Sequence, residues 1–189
     1  MYYAWAGQPF RSEDDDEEDT GIALLSTFPL VDVERVELPH AGPRGRRRVA
    51  LGATVVVGGS AMRVYVVHAE RRIPTDQHLD QYRAVVTALS SRKDGGRAVV
   101  LGDLNSHRFV DETAEFFGTA GFASAVPVDE PTFRVSLVKC RLDWIWSRGL
   151  ATTGGGVVRR TRLSDHWPVW TTVSLTSELS AVALRPQPN

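Results

Sequence analysis

The stretch VVLGDLNSHR (residues 99–108) decides how the whole chain is interpreted. It begins with an apolar run, which is typical of a strand buried on both faces, and the run ends at Gly102. An acid and an amide follow two residues apart, Asp103 and Asn105. Taken alone, such a pair is most simply a turn former, because both side chains bond to nearby backbone groups. The alternative is that the strand ends here so that both side chains project into a site.

A second corner of similar design lies in LSDHWPVW (residues 163–170), where Asp165 and His166 precede a proline and an apolar strand. Adjacent residues point in different directions, so Ser164 cannot form a Ser-His-Asp triad with its two neighbours. A triad with distant partners stays open, but the chain has no Gly-X-Ser-X-Gly element to support it.

Two more polar residues stand in apolar strands. Asp143 lies in RLDWIW (residues 141–146), where a carboxylate is costly to bury unless it has a partner. Strict alternation also allows Asp143 to lie on a solvent-facing side of the strand. His68 closes VYVVHA (residues 64–69), and a single histidine at a strand end is more simply structural.

The composition predicts a globular protein of one domain, since 189 residues contain 42% hydrophobic and 24% charged side chains. We expect the domain to span residues 1–178 and a C-terminal tail to follow at 179–189. An acidic loop at 11–20 holds seven consecutive acids, and it lacks the residue spacing of a calcium-binding loop. Such a run is most simply a solvated loop.

No apolar run is long enough to span a membrane, so no transmembrane segment is expected. The N-terminal residues lack the pattern of a secretory signal. This favours a cytoplasmic location by default, with secretion open if a longer N-terminus carries a signal. Cys140 is the only cysteine, which rules out an internal disulfide framework.

The order of elements predicts a mixed α/β fold with much antiparallel pairing. Two β-branched runs flank Gly58 and Gly59, as in a hairpin. A helix is expected to be capped by Thr75 and to carry an apolar face, and a second helix is expected around residues 111–117. Further strands follow, with no repeat and no linker between domains.

Considered together, six segments occur in an order and spacing that resembles the endonuclease/exonuclease/phosphatase superfamily, which has the deoxyribonuclease-I-like fold. They are GIALLS (21–26), VVHAE (66–70), VVLGDLNS (99–106), PTF (131–133), RLDWIW (141–146) and LSDHWPV (163–169). The resemblance implies a four-layer sandwich of two packed β-sheets flanked by helices, with the motif residues gathered at one edge.

The resemblance also implies catalytic roles. Asp103 resembles the carboxylate that orients or deprotonates the attacking water, and Asn105 the amide that positions the water or the phosphate. His166 resembles the histidine that stabilises or protonates the transition state, and Asp143 its orienting partner. His68 is similar to a second histidine that contacts the phosphate.

The implied activity is metal-dependent hydrolysis of a phosphodiester or a phosphomonoester, with Mg²⁺ (or Mn²⁺) as cofactor and Asp165 as a metal ligand. Arg162 follows two other arginines and is a candidate for substrate binding, although a solvated strand edge explains it more simply. The expected partner is a phosphorylated substrate: a small phosphoester, a lipid headgroup or a nucleic acid. No stable protein partner is implied.

One feature departs from the resemblance: no Gln-Glu pair occurs in the chain. In the superfamily, the glutamate of that pair is the main metal ligand, and it lies in strands that precede the segment seen here. We therefore expect the chain to lack those N-terminal strands. Three explanations stay open: a longer active protein, a non-catalytic remnant that binds a phosphorylated ligand, or a metal ligand supplied from elsewhere.

Overall fold

The computed structural model describes residues 1–7, 21–92, 96–160 and 163–175. The predicted acidic loop at 11–20 and the tail at 179–189 lie outside these residues, as does Arg162, so those predictions stay untested. Neither helix in the described ranges has the length and apolar character of a membrane span.

The described residues form twelve strands and two α-helices, numbered here in chain order. The first strands are β1 (Tyr2–Gly7), β2 (Gly21–Ser26), β3 (Leu30–Glu37), β4 (Val49–Val57) and β5 (Ser60–His68). Helix α1 (Thr75–Ser90), β6 (Ala98–Asp103), α2 (Val110–Thr119) and β7 (Ala123–Ser124) follow. The last strands are β8 (Phe133–Val135), β9 (Val138–Cys140), β10 (Asp143–Arg148), β11 (Ala151–Val157) and β12 (Val169–Ser174).

A six-stranded sheet in the order β3-β4-β5-β6-β10-β7 forms the centre of the fold. Its pairs are antiparallel except β5 and β6, which are parallel and joined through α1. The predicted β4–β5 hairpin is confirmed, and Gly58 and Gly59 turn it with φ values of 55° and 80°. Pairs β1–β2, β11–β12 and β8–β9 form three smaller sheets.

The two helices cover one face of this sheet. Strand residues alternate between the faces, so Val100 packs with the helices, whereas its neighbour Val99 packs on the opposite side with β11 and β12. On the helix side, the rings of Trp144 and Trp146 stack at 4.9 Å, and Trp146 stacks on Phe117 of α2 at the same distance. Burial on both faces confirms the prediction for β6.

The opposite face is covered by two of the small strand pairs, β1–β2 and β11–β12. Side chains of β1 and β2 pack against Val49 and Leu51 of β4, and Val157 and Val169 of the β11–β12 pair pack against the middle of the sheet. The predicted class, a mixed α/β fold with two packed layers of sheet, is therefore confirmed.

The start of α1 corrects one prediction. Thr75 is the first helical residue and does not cap the helix with its side chain. Pro74 occupies the capping position in an extended conformation, with φ −60° and ψ 159°. A proline has no backbone N–H to leave unpaired, and its ring restricts it to this φ, so it suits the position just before the first turn.

Candidate active site

The strand register brings three of the predicted residues together at one edge of the central sheet. Asp103, at the end of β6, is aligned with His68 at the end of β5 on one side. On its other side it is aligned with Asp143 at the start of β10. Because β5 and β6 are parallel and β10 runs antiparallel to them, these three positions meet on adjacent strands.

Strand β6 continues one residue past Gly102 and ends at Asp103, so the expected stop at Gly102 is wrong by one residue. Gly102 has φ 129°, and a Cβ atom at this position would overlap the carbonyl oxygen of Val67 on β5. Only glycine allows the two strands to approach so closely in this conformation. The backbone N–H of Ala69 then donates to the Asp103 carbonyl over 2.9 Å, which continues the pairing beyond β5.

Asp103 and Asn105 form a turn and also line the candidate site, so both interpretations of the motif apply. The N–H of Asn105 donates to Oδ1 of Asp103 over 2.9 Å, as in a turn former. The Asn105 amide nitrogen donates to the Ala69 carbonyl over 2.9 Å, which ties the loop after β6 to the loop after β5. Asn105 is buried but still lines the cleft described below, so its contact with substrate stays a prediction.

His166 is held by Asp143. Its Nδ1 lies 2.8 Å from Oδ2 of Asp143, which identifies the partner that this strand carboxylate needs. The hydrogen bond to Asp143 raises the pKa of His166 above its ordinary value, although burial acts against it. The N–H of His166 donates to Oγ of Ser164 over 3.1 Å, so Ser164 shapes the turn. The ring of Phe133 packs edge-on at 5.0 Å.

Thr132 supports this pair, a role that the sequence analysis missed. Its buried hydroxyl accepts the backbone N–H groups of Leu142 (3.0 Å) and Asp143 (2.9 Å). Its carbonyl accepts the N–H of Trp167 over 2.7 Å, next to His166. Thr132 therefore connects the strand of Asp143 to the turn of His166. The PTF segment (residues 131–133) is one of the motifs of the resemblance, but its spacing alone does not indicate what Thr132 does.

Arg48 and Glu70 form a buried pair beside His68 and were also missed. Arg48 Nε donates to Oε2 of Glu70 over 3.2 Å, and the two side chains are only 11% and 5% exposed. A guanidinium nitrogen of Arg48 lies 3.5 Å from Nδ1 of His68. Gly42 lies against the Glu70 carboxylate, where a Cβ atom would overlap it. In the sequence, Arg48 is the last of three consecutive arginines and carries no signal that distinguishes it from the other two.

This pair affects the protonation state of His68, whose expected contact with phosphate stays a prediction. Burial, followed by the nearby charge of Arg48, lowers the pKa of His68 to about 4. The imidazole is therefore neutral near pH 7, and Arg48 provides the positive charge at this end of the site. His68 Nε2 lies 3.6 Å from Oδ2 of Asp103, which is too long for a hydrogen bond.

The carboxyl group of Asp103 is affected by burial and by nearby charges. Burial raises its pKa to about 6, and the negative charge of Asp143 adds to this effect. The N–H of Asn105 and the charges of His166 and Arg48 act in the opposite direction. The carboxyl is thus ionised at neutral pH but more basic than an ordinary aspartate, which suits a group that takes a proton from water.

These residues open into one cleft of about 1020 Å³. Asp103, Asn105, His68 and His166 line it, together with Arg48. Asp143 is not among the lining residues, in keeping with a position behind His166. Asp165 lines the cleft as an exposed residue, and its Oδ1 accepts the Ser164 hydroxyl over 3.3 Å. The structure thus groups every predicted site residue except Arg162, which it does not describe.

The donor set does not make up a magnesium site on its own. No group of three or more histidine, cysteine, aspartate or glutamate side chains is arranged for a metal within residues 1–7, 21–92, 96–160 and 163–175. Asp143 is committed to His166, and Oδ1 of Asp103 is committed to a backbone N–H. Asp165 offers a carboxylate of the kind Mg²⁺ prefers, so its role as a ligand stays a prediction.

The chain resembles one known protein family and several solved structures. The profile of the endonuclease/exonuclease/phosphatase family matches residues 2–166. No curated protein matches the chain in sequence.

Three solved structures illustrate the likeness of fold. A family protein from Leptotrichia buccalis has a TM-score of 0.70 at 16% identity, covering 92% of this chain and 71% of that one. A mannosyl-6-phosphatase from Bacteroides thetaiotaomicron has a TM-score of 0.66 at 16% identity, covering 91% and 77%. D. rerio TDP2, complexed with a single-strand DNA product, has a TM-score of 0.67 at 19% identity, covering 91% and 77%.

Proposed function

Because the chain belongs to the endonuclease/exonuclease/phosphatase family, we propose that it hydrolyses a phosphodiester or phosphomonoester bond with an activated water molecule. Nucleases and phosphatases share the cleavage of a phosphoester. The observation that carries the proposal is the alignment of Asp103 between His68 and Asp143, with His166 bonded to Asp143. This arrangement supplies a base, an acid and a positive charge in one cleft.

Asp103 is the base in this proposal. Hydrolysis needs a water oxygen to attack phosphorus while its proton leaves, and an ionised carboxylate can accept that proton. With Oδ1 held by the N–H of Asn105, Oδ2 is the oxygen left for water. The raised pKa of Asp103 makes it a stronger base than an exposed aspartate while leaving it ionised at neutral pH.

His166 is the acid or electrostatic partner. As the ester bond breaks, negative charge grows on the phosphate and on the leaving oxygen. Asp143 holds Nδ1 of His166, so Nε2 is the atom available to the substrate. The raised pKa favours the protonated imidazole, which can stabilise this charge or donate its proton.

Arg48, His68 and Asn105 form the phosphate-binding side. Arg48 is the charged member, and its ion pair with Glu70 fixes the guanidinium beside His68. The neutral His68 contributes a hydrogen bond without adding charge. We infer that the anionic phosphate oxygens lie against these groups, because charge-assisted hydrogen bonds are the strong ones in such sites.

Dependence on Mg²⁺ or Mn²⁺ is a separable part of the proposal. The resemblance implies such an ion with Asp165 as a ligand, but the described residues do not complete its site. None of the steps above passes through a metal. A divalent ion would add positive charge on the phosphate oxygens.

The test is hydrolysis of bis-p-nitrophenyl phosphate and p-nitrophenyl phosphate, with Mg²⁺, with Mn²⁺ and with EDTA. We expect turnover of at least one ester and a loss of about 10² to 10⁴ in kcat for Asp103→Asn. The matched control is Asp129→Asn, an exposed aspartate that does not line the cleft. Full activity of Asp103→Asn would overturn the assignment of the base. Turnover that persists in EDTA would remove the metal from the proposal.

A second candidate function is a non-catalytic domain that binds a phosphorylated ligand. The observation that favours it is that no three metal-binding side chains are grouped within the described residues. Calorimetry with inorganic phosphate separates the two, because binding without turnover under all three metal conditions supports the non-catalytic domain.

A further inference from the structure

Two loops at the cleft carry basic side chains that the proposed chemistry does not use. One joins β5 to α1 (residues 69–74), and the other joins β6 to α2 (residues 104–109). We call their four basic residues the basic wall: Arg71, Arg72, His107 and Arg108. All four line the same cleft as Asp103 and His166.

Hydrogen bonds fix the two loops to each other. They follow neighbouring parallel strands, so both start at the same edge of the sheet. The Asn105 amide donates to the Ala69 carbonyl over 2.9 Å. The N–H of Arg72 donates to the buried carboxylate of Glu70 over 3.2 Å. The basic wall is therefore built on the strand ends that also hold the catalytic residues.

The charges of the basic wall have no acidic partners within the part of the chain that the structure describes. Arg48 pairs with Glu70 and Arg83 pairs with Asp80, but none of the described carboxylates forms an ion pair with an arginine of the wall. Acidic residues occur in the first turns of both helices, yet they do not line the cleft. The carboxylates that do line it are Asp103 and Asp165.

The members of the wall also lie close enough to repel one another. Burial, followed by the positive charges of Arg108 and Arg71, lowers the pKa of His107. Arg71 and Arg108 come from different loops, and both line the same cleft as His107, so both loops place positive charge at this cleft. Unpaired like charges work against a compact fold, and a bound anion relieves that repulsion.

We propose that the basic wall binds a second phosphate group, so that the preferred substrate carries at least two phosphates. This rests on the proposed function, in which the first phosphate lies among Asp103, Arg48 and His166. Those residues already account for the binding of a single phosphate. Arginine is the side chain best suited to the second, because its planar fork can bind two phosphate oxygens at once.

The experiment is calorimetric titration of the full chain with inorganic phosphate and with tripolyphosphate at physiological ionic strength. Tripolyphosphate is the probe because its linked phosphates reach beyond the reacting position. We expect it to bind at least about tenfold more tightly than phosphate, the equivalent of one charge-assisted hydrogen bond. The double variant Arg71→Gln/Arg108→Gln should lose this preference while its affinity for phosphate stays unchanged.

The control is Arg83→Gln, which removes an exposed arginine of α1 that does not line the cleft. It should keep the full preference for tripolyphosphate. Equal binding of both probes by the unaltered chain would overturn the inference, as would a double variant that keeps the preference. The inference would also fail if Arg83→Gln lost the preference for tripolyphosphate. It would fail as well if the double variant lost the binding of both phosphate and tripolyphosphate.

The same titrations keep this inference distinct from the proposed function. If the chain hydrolyses p-nitrophenyl esters but shows no preference for tripolyphosphate, the proposed function stands and the second phosphate site is rejected. If the chain prefers tripolyphosphate through Arg71 and Arg108 but hydrolyses no ester, the basic wall stands as a binding site and the proposed hydrolysis is rejected.

Discussion

Nδ1 of His166 lies 2.8 Å from Oδ2 of Asp143, and the two residues stand 23 positions apart in the chain. The contact orders the turn after β11 against the first residue of β10. It also places a negative charge where it affects both His166 and Asp103. The pair therefore has two measurable effects, one on the imidazole and one on the neighbouring carboxyl.

Asp143→Asn should lower kcat by about 10- to 100-fold, because the amide orients His166 less firmly and no longer stabilises its protonated form. The measurement is steady-state hydrolysis of the better p-nitrophenyl ester, with Asp129→Asn as the matched control. Unchanged kcat would show that His166 works without its carboxylate partner.

The same Asp143→Asn variant should shift the acid limb of the pH profile to lower pH. The Asp143 charge helps to raise the pKa of Asp103 to about 6, and its removal lets that pKa fall. Because the ionised form of Asp103 is the base, activity should then persist into more acidic solution. The profile of kcat/KM between pH 4 and 8 checks this, and a shift to higher pH would contradict it.

Asp103→Asn should stabilise the protein at pH 8 while it removes activity. The folded-state pKa of about 6 lies above the ordinary 3.8, so ionisation of Asp103 opposes folding. This cost is absent below about pH 4, grows between about pH 4 and 6, and levels off above pH 6 at no more than about 3 kcal/mol. Urea unfolding of both proteins at pH 5 and pH 8 measures it. A difference in the free energy of unfolding that did not grow with pH would contradict this explanation.

Thr132→Val should cost about 2 to 4 kcal/mol, because two buried N–H groups lose their acceptor. Activity should fall as well, since Thr132 connects the strand of Asp143 to the turn of His166. The control is Thr113→Val, another fully buried threonine, whose hydroxyl donates to a carbonyl that also accepts a backbone N–H. Similar losses of stability and activity in both variants would remove the special role of Thr132.

Gly102→Ala should cost about 2 to 4 kcal/mol, from backbone strain and from overlap with the Val67 carbonyl. Gly118→Ala is the control, because a Cβ atom there meets no other atom within 4 Å and the residue lies in α2. Alanine at that position should be neutral or slightly stabilising. Thermal unfolding of the two variants compares them directly.

The strands could be predicted from local signals in the sequence, whereas the site was expected from the resemblance to a known family. Apolar runs marked β5, β6 and β10, and each run ends or begins at a polar residue that proved to lie in the site. The resemblance to a known family then implied that Asp103 and His166 lie at one edge of the fold, although they are distant in the chain. Alternation alone left Asp143 ambiguous, and only the contact with His166 decides its role.

Arg48 and Glu70 could not be predicted, because their pairing depends on the register between β4 and β5. Nothing in the run of three arginines indicates which one is buried. The basic wall was missed for a related reason. Arg71 and Arg108 look like ordinary surface residues until the parallel pairing of β5 and β6 brings their loops together.

His68, Asp103 and Asp143 stand at strand ends inside the sheet, whereas the basic wall stands on two connecting loops. Loops accept replacements and insertions that strand ends do not. A change in the basic wall would therefore alter what the cleft accepts and leave the register of His68, Asp103 and Asp143 in place.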